Sequence, residues 1–309
     1  MGDPAVALAR SVAVLGREAT PELAAAVADL EPAQAAAAAD VLVAHEVLLG
    51  GETLAFVHPI VRTAVYSDFS PPLRGDAHRR AATLLSERGA ELESVAAQIV
   101  AAPPAGDPWA VDVLLRAGAA ALARGAPEAA VSYLERALAE RPDREARREA
   151  LIGLGRGFAM LRDGRSCIKR LYEALELTQD TRRRVEIIHL LITMLSISRA
   201  APRGIALLNR EIAALPADER ALGLRLESDI DSISFFSLTA KRVAAGRKRR
   251  FHDPDDAGCN APQPIVFFGK PMRTIIPPRH RSEDGIKSGT FKSGELVPRH
   301  ARRPAEEQA

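Results

Sequence analysis

Aromatic residues and cysteines are scarce in this chain of 309 residues. Phe, Trp and Tyr make up only 4% of it, whereas hydrophobic residues make up 47% and include much alanine. This composition disfavours an aromatic-rich β core and favours closely packed helices. The two cysteines, Cys167 and Cys259, are too few for a disulfide framework, so we expect a cytoplasmic protein in a reducing compartment.

Long apolar runs are also missing. None approaches the roughly 20 residues that a membrane-spanning helix needs, so no membrane partner is expected. The start, MGDPAVALAR, lacks a charged segment followed by an apolar core, so no secretory signal is predicted. The net charge is only +2, but residues 241–309 carry 15 Lys and Arg against 8 Asp and Glu. The basic character therefore belongs to this last region.

The clearest positive signal is a helix pair within residues 111–142. The first helix is predicted over residues 109–124 and ends at Gly125, and the second is predicted over residues 127–140 and is closed by Pro142. The pair matches the tetratricopeptide pattern of about 34 residues. Its packing positions are held by Leu114, Gly118, Ala130, Leu134 and Ala137. One pair cannot bury its whole apolar face, so stacked neighbours are expected.

Two further copies follow at a spacing of 37 residues, over residues 148–179 and 185–216. In the second copy, the packing positions are held by Leu151, Gly155, Phe158, Leu171 and Ala174. In the third, Ile192 replaces the small residue, which predicts either looser packing or a shifted register. A helix over residues 217–232 would be half of a fourth copy. We therefore predict an α-solenoid over residues 71–240.

Residues 1–70 predict a separate module. Apolar spacing indicates three helices, at residues 5–15, 21–30 and 31–44. The stretch 47–57 has two apolar runs around Gly-Gly-Glu, which is typical of a β-hairpin, and a helix then begins at His58-Pro59. This order describes a winged helix, a fold that often binds DNA but also serves for packing. The third helix has no Lys or Arg, which disfavours contacts with phosphates or base edges.

Two helices are predicted between this module and the first pair, over residues 73–88 and 91–101. The former carries His78, Arg79 and Arg80 on its polar side. Residues 241–309 have no sustained period, which predicts a basic, mostly disordered tail. Its abrupt loss of helical character suggests a truncated or frame-shifted end. Phosphate contacts without sequence choice are possible at a basic cluster, Arg247, Lys248, Arg249 and Arg250.

We predict no catalytic, cofactor-binding or metal-binding residues, and no enzymatic activity. The phosphate-binding pattern G-x-x-x-x-G-K-[ST] does not occur in the sequence. Gly153-x-Gly155-x-Gly157 resembles part of a dinucleotide loop, but no strand precedes it, so helix packing is the preferred interpretation. Cys167 occupies a small-residue position, which favours a buried thiol over a reactive one.

A family resemblance is carried by two stretches, LAFVHPIVRTAVYSDFSPPLRGDAHRRAATLL at 54–85 and AAPPAGDPWAVDVLLRAGAAALARGAPEAAVSYLERALAE at 101–140. They resemble the large ATP-binding regulators of the LuxR family, the MalT-like signal-transduction ATPases. Those proteins run from a P-loop ATPase through a winged helix and tetratricopeptide-like repeats to a C-terminal helix-turn-helix. The resemblance covers residues 5–216 and includes neither end. Its motif residues are Phe56, His58, Pro59, Arg62 and Tyr66.

The resemblance implies a non-catalytic scaffold for protein interaction and signal coupling in transcription regulation, with a protein partner of unknown identity. In these regulators the motif lies where the winged helix meets the ATPase, so one interpretation of His58 is a nucleotide-sensing contact. The other interpretation is capping or packing at the helix start. Two further functions stay open: a remnant without independent function, and a nucleic-acid binder that uses the basic tail and the winged helix.

Overall fold

The computed structural model describes residues 3–197 and 200–235, and this part of the chain is mainly helical, as predicted. The predicted tail at 241–309, with its basic cluster, lies outside the described residues. The helices are α1 (Pro4–Leu15), α2 (Pro21–Ala28), α3 (Pro32–Ala44), α4 (Pro59–Asp68), α5 (Pro71–Glu87), α6 (Leu92–Ala101), α7 (Pro108–Ala123), α8 (Pro127–Ala139), α9 (Arg144–Met160), α10 (Gly164–Leu177), α11 (Thr181–Ile197), α12 (Ala201–Ala214) and α13 (Arg220–Phe235). A 3-10 turn, Gly16–Glu18, follows α1.

Helix starts follow local chemistry. Proline stands in the first turn of most of these helices, where its missing N–H removes no intrahelical bond. The Thr20 hydroxyl accepts a hydrogen bond from the Leu23 N–H at 3.2 Å and caps α2, as the sequence predicts. Gly125, at φ +76°, follows the end of α7 in the left-handed region that favours glycine.

The predicted hairpin is present but its strands are short. β1 (Leu48–Leu49) and β2 (Ala55–Phe56) pair antiparallel, with Leu48 opposite Phe56. Leu48 is buried, and the neighbouring Leu54 N–H donates to the Ala19 carbonyl at 2.7 Å. These contacts attach the hairpin to the first helices.

The buried core continues past residue 70. Leu8 and Leu23 of the first helices share a hydrophobic cluster with Leu85 of α5 and Leu114 of α7. α5 packs against both α1 and α2. The first 70 residues and the helices that follow are therefore joined by apolar packing, and the predicted boundary at residue 70 stays a prediction.

From α7 onward the helices pack in a repeating order. α7, α9, α11 and α13 form a row in which each helix contacts the next. The intervening helices α8, α10 and α12 each pack on the two members of the row that flank them in sequence. A second hydrophobic cluster, centred on α11 and α12, fills the later part of this arrangement.

Candidate functional site

The predicted packing residues of the first two helix pairs meet in equivalent contacts. A Cβ added at Gly118 of α7 would lie 2.7 Å from Leu134 Cδ2 on α8. A Cβ added at Gly155 of α9 would lie 2.5 Å from Leu171 Cδ2 on α10. Both the glycine and the leucine recur 37 residues later in the sequence, so the two pairs share one contact geometry. The other predicted packing residues, Leu114, Ala130, Ala137, Leu151 and Ala174, are fully buried, and Phe158 is partly buried against the same core.

In the third pair, the small residue lies on the second helix and the large residue on the first. Ile192 stands where the earlier pairs have glycine, yet only 4% of it is exposed. The facing position on α12 is Gly204, where the earlier pairs have Ala130 and Cys167. A Cβ at Gly204 would lie 3.1 Å from Ile192 Cδ1 and 2.7 Å from Ile233 Cδ1. The expectation of looser packing is therefore wrong, because a glycine on the second helix makes room for the isoleucine.

The three glycines of α9 are explained by packing on two sides. Gly153 and Gly157 lie four residues apart, on one face of the helix, and approach Leu134 and Val131 of α8. Gly155 points the other way and approaches α10. The element directly before α9 is the helix α8, not a strand.

The family-motif residues are concentrated on and before α4, a helix with no buried residue. Its apolar contacts come from partly buried side chains, Val65 and Tyr66, which pack against the first core cluster. Arg62 also donates to the Ala13 carbonyl at 2.9 Å, near the end of α1. Tyr66 contacts His78 of α5, and its ring lies under the Arg74 guanidinium at 4.7 Å. Polar contacts therefore add to partial apolar packing in holding α4.

A buried hydrogen-bond chain extends from Tyr66 into the core. The amide of Gln98, on α6, donates to the Val14 carbonyl at 3.1 Å, so its oxygen faces His78 and accepts from Nδ1 at 2.6 Å. His78 Nε2 then accepts from the Tyr66 hydroxyl at 2.9 Å. This chain connects α4, α5 and α6 to the end of α1.

The prediction that His78 lies on the polar side of its helix is wrong. The residue is 4% exposed, and both ring nitrogens have partners. Burial lowers the pKa of His78, the hydrogen bond from its ring to Gln98 opposes that change, and the positive charges of Arg74 and Arg62 reinforce it. The ring is therefore neutral at physiological pH and serves as a structural connector.

The remaining motif residues lie nearby but have different structural roles. Pro59 opens α4, and Phe56 packs partly buried against the first core. His58 occupies the N-cap position, yet its side chain is exposed and makes no capping hydrogen bond. Capping by the His58 side chain is therefore absent, and its packing and nucleotide-sensing roles stay predictions.

A second polar site fixes the loop before α7. Glu140, at the end of α8, accepts hydrogen bonds from three successive backbone N–H groups: Ala105 at 2.8 Å, Gly106 at 2.5 Å and Asp107 at 3.3 Å. Arg136 donates to the same carboxylate at 2.6 Å and to the Ala102 carbonyl at 2.9 Å. Burial opposes ionisation of Glu140, but Arg136 and the backbone donors outweigh it and lower the pKa of the carboxyl.

A cleft of about 250 Å³ lies beside this carboxylate. Asp112 and Leu115 of α7 form one wall, and Arg141 and Asp143 of the next loop form the other. Both polar and apolar groups line it, and the Glu140 carboxylate already accepts hydrogen bonds from the loop before α7. The cleft is a feature of the interface between the first two helix pairs.

Chemically reactive groups are few in the described residues. Cys167 is 1% exposed, and burial, with a smaller contribution from Asp163, raises the pKa of its thiol to about 12. The thiol is therefore buried, as predicted. Residues 3–197 and 200–235 contain no cluster of three His, Cys, Asp or Glu side chains that could hold a metal ion. Within those ranges, no helix has the length and apolarity needed to cross a membrane.

Comparison with protein-family models, with curated proteins and with solved structures finds no match for this chain. The residues and contacts described above therefore carry the functional proposal.

Proposed function

We propose that this chain is a non-catalytic scaffold that binds a protein partner and couples signals, comparable to the central region of LuxR-family ATP-dependent transcriptional regulators. In this proposal, residues 1–70 are a winged-helix-like module and residues 71–240 are a tetratricopeptide-like solenoid. The partner engages the solenoid, and the packing of α5 on α1 and α2 joins the solenoid to the first module.

One observation carries the proposal: the Gly118–Leu134 contact recurs as Gly155–Leu171, 37 residues later. Repetition of both partners, with the same helices flanking them, is what stacked helix pairs require. Such stacks commonly present an extended surface to a peptide or another domain. The row α7, α9, α11 supplies this surface, since its members are contiguous.

Acidic residues that are exposed or half-buried recur along this row at the same interval. Asp112, Glu149 and Glu186 lie 37 residues apart, on α7, α9 and α11. Asp112 pairs with Arg116 at 3.4 Å, and Glu149 pairs with Arg183 at 2.5 Å. Such partly exposed pairs contribute little to stability, so they can be changed with little effect on the fold.

Cross-linking mass spectrometry of the tagged full chain, in the cells that produce it, tests the scaffold. The double variant Asp112→Arg, Glu186→Arg reverses charge on the row, whereas Glu176→Arg reverses charge on α10 as a matched control. We expect cross-links to a partner that are lost in the double variant and kept in the control, with circular dichroism unchanged in both. Equal cross-linking by all three chains would contradict the proposal, as would nucleotide binding measured by calorimetry.

A gel-shift series separates the scaffold from a nucleic-acid binder. α3 carries no Lys or Arg, so the module offers no basic recognition helix. Any retardation of DNA should therefore fall with salt and disappear when Arg247, Lys248, Arg249 and Arg250 are changed to Glu. Retardation that survives those changes would favour DNA binding by residues 1–70.

A further inference from the structure

α13 is the last helix that the structure describes in the helix row. It packs on α11 and α12 and buries Leu226, Ile230 and Ile233 in the second core cluster. Ile233 sits over Gly204, where a side chain would leave no room for it. The interface is mostly aliphatic.

A charged contact crosses this aliphatic interface. His189 of α11 and Asp229 of α13 meet at 2.9 Å between Nδ1 and Oδ1. The Asp229 side chain is only 9% exposed, whereas that of His189 is 40% exposed. Within the described residues, the other carboxylate oxygen of Asp229, Oδ2, is buried without a hydrogen-bond partner. A buried carboxylate in this position depends on the charge of the histidine.

The arginines around this contact either repel the charged ring or pair with other groups. Arg225, also on α13, repels the charged ring. Toward α12, Arg184 pairs with Glu211 at 2.9 Å, and toward α9, Arg183 pairs with Glu149. Toward α10, the Arg184 guanidinium donates to the carbonyls of Leu175 and Thr178. Histidine is the only one of these side-chain types that ordinarily changes charge between about pH 5 and 8.

The direction of the pH effect follows from the contact. The hydrogen bond to Asp229 raises the pKa of His189, burial opposes this, the charge of Asp229 adds to the rise, and Arg225 opposes it. A group whose pKa is raised by docking contributes stability that is fully present below its ordinary value of about 6.5. That stability is lost as the pH rises through the raised pKa.

We propose that the docking of α13 on α11 is a pH-sensitive latch, in which protonated His189 holds the helix through buried Asp229 and its deprotonation loosens the helix. This goes beyond the scaffold function and does not depend on it. Loosening uncovers the aliphatic surface of α11 and α12 around Gly204. The regulatory contact thus joins α11 to α13.

Hydrogen–deuterium exchange of the full chain tests the latch. Exchange of peptides within residues 220–235 is measured from about pH 5.5 to 8.5, corrected for intrinsic exchange and referred to peptides of α8. We expect stronger protection of α13 at the acidic end. The ratio of protection at the two ends should equal ten raised to the difference between the docked and ordinary pKa values of His189, which an NMR titration gives independently.

Two variants and a control make the outcome decisive. His189→Gln keeps a hydrogen-bond donor without a charge, so α13 protection should become independent of pH. Asp229→Asn should move the pKa of His189 down toward its ordinary value. His45→Gln, at an exposed position, should change neither quantity. The latch is overturned if α13 in His189→Gln keeps the pH dependence of the unmodified chain, or if the pKa of His189 is raised while α13 protection stays flat.

Discussion

Replacing Gly155 by alanine is expected to destabilise the protein, although alanine is the better helix former. The helix propensity alone favours alanine by about 1 kcal/mol. The new methyl carbon would lie 2.5 Å from Leu171 Cδ2 and 2.6 Å from its Cγ. Leu171 is 1% exposed, so it has little space into which to move. Overpacking of this kind costs about 1–3 kcal/mol, which leaves a net loss of about 1 kcal/mol.

Urea unfolding of the full chain, followed by circular dichroism, measures this loss. Ala119→Gly, at an exposed position of α7, measures the propensity term alone, because no core contact changes. The gain of about 1 kcal/mol from alanine, added to the observed loss, gives the packing cost at Gly155. For a folded part of this size, a loss of 1 kcal/mol corresponds to a fall in Tm of about 2–4 °C.

The double variant with Leu171→Ala decides whether the contact is the cause. Leu171→Ala alone should cost about 2–5 kcal/mol, since it leaves a cavity. In the Gly155→Ala background the cost should be smaller by about 2 kcal/mol, which is the packing cost at Gly155, because the clash disappears with the leucine. Additive effects, within about 0.5 kcal/mol, would refute the close-packing explanation.

Three further predictions concern buried polar groups. Glu140→Gln should lower the free energy of unfolding, measured by urea titration, by about 3 kcal/mol, because a buried arginine loses its counter-charge. In the unmodified chain, the stability that ionised Glu140 contributes should be lost only in acid, as the pH falls below the ordinary glutamate range and through the lowered pKa of this carboxyl. Protonation of His78 should destabilise the fold as the pH falls below about 6.5, and a free energy of unfolding that stays constant down to pH 5 would contradict this prediction. Tyr66→Phe should cost about 1–2 kcal/mol by the same urea titration, because His78 Nε2 loses its hydrogen-bond donor. With the other cysteine changed to serine, Cys167 should react with a thiol reagent only as fast as the protein opens, and rapid labelling of the folded chain would contradict its burial.

The helices could be read from sequence because their signals are local. Thr20 with Pro21 marks the start of α2, and Pro127 marks that of α8, through the backbone geometry of a first turn. The hairpin was equally accessible from the Gly-Gly-Glu between two apolar runs. Its strands are shorter than the stretch that predicts them, because only Leu48–Leu49 and Ala55–Phe56 meet in register.

The polar sites could not be predicted from the sequence, because the residues that form each of them are distant in the chain. Glu140 binds amides 33–35 residues earlier, and His189 meets Asp229 40 residues later. His78 was misplaced because its neighbours Arg79 and Arg80 suggested a solvated face. The signal that could have corrected this is the helical position of His78, in line with the buried Ala81, Ala82 and Leu85.

Leu134 belongs to two interfaces at once, since it fills the space left by Gly118 on α7 and by Gly153 on α9. A tensile load applied along the chain would therefore not be borne by separate hairpins in turn. Whichever interface opens first, Leu134 loses part of its packing, so the α7–α8 and α8–α9 interfaces should weaken together. The stiffness of this part of the molecule then depends in part on one side chain that packs between two glycines.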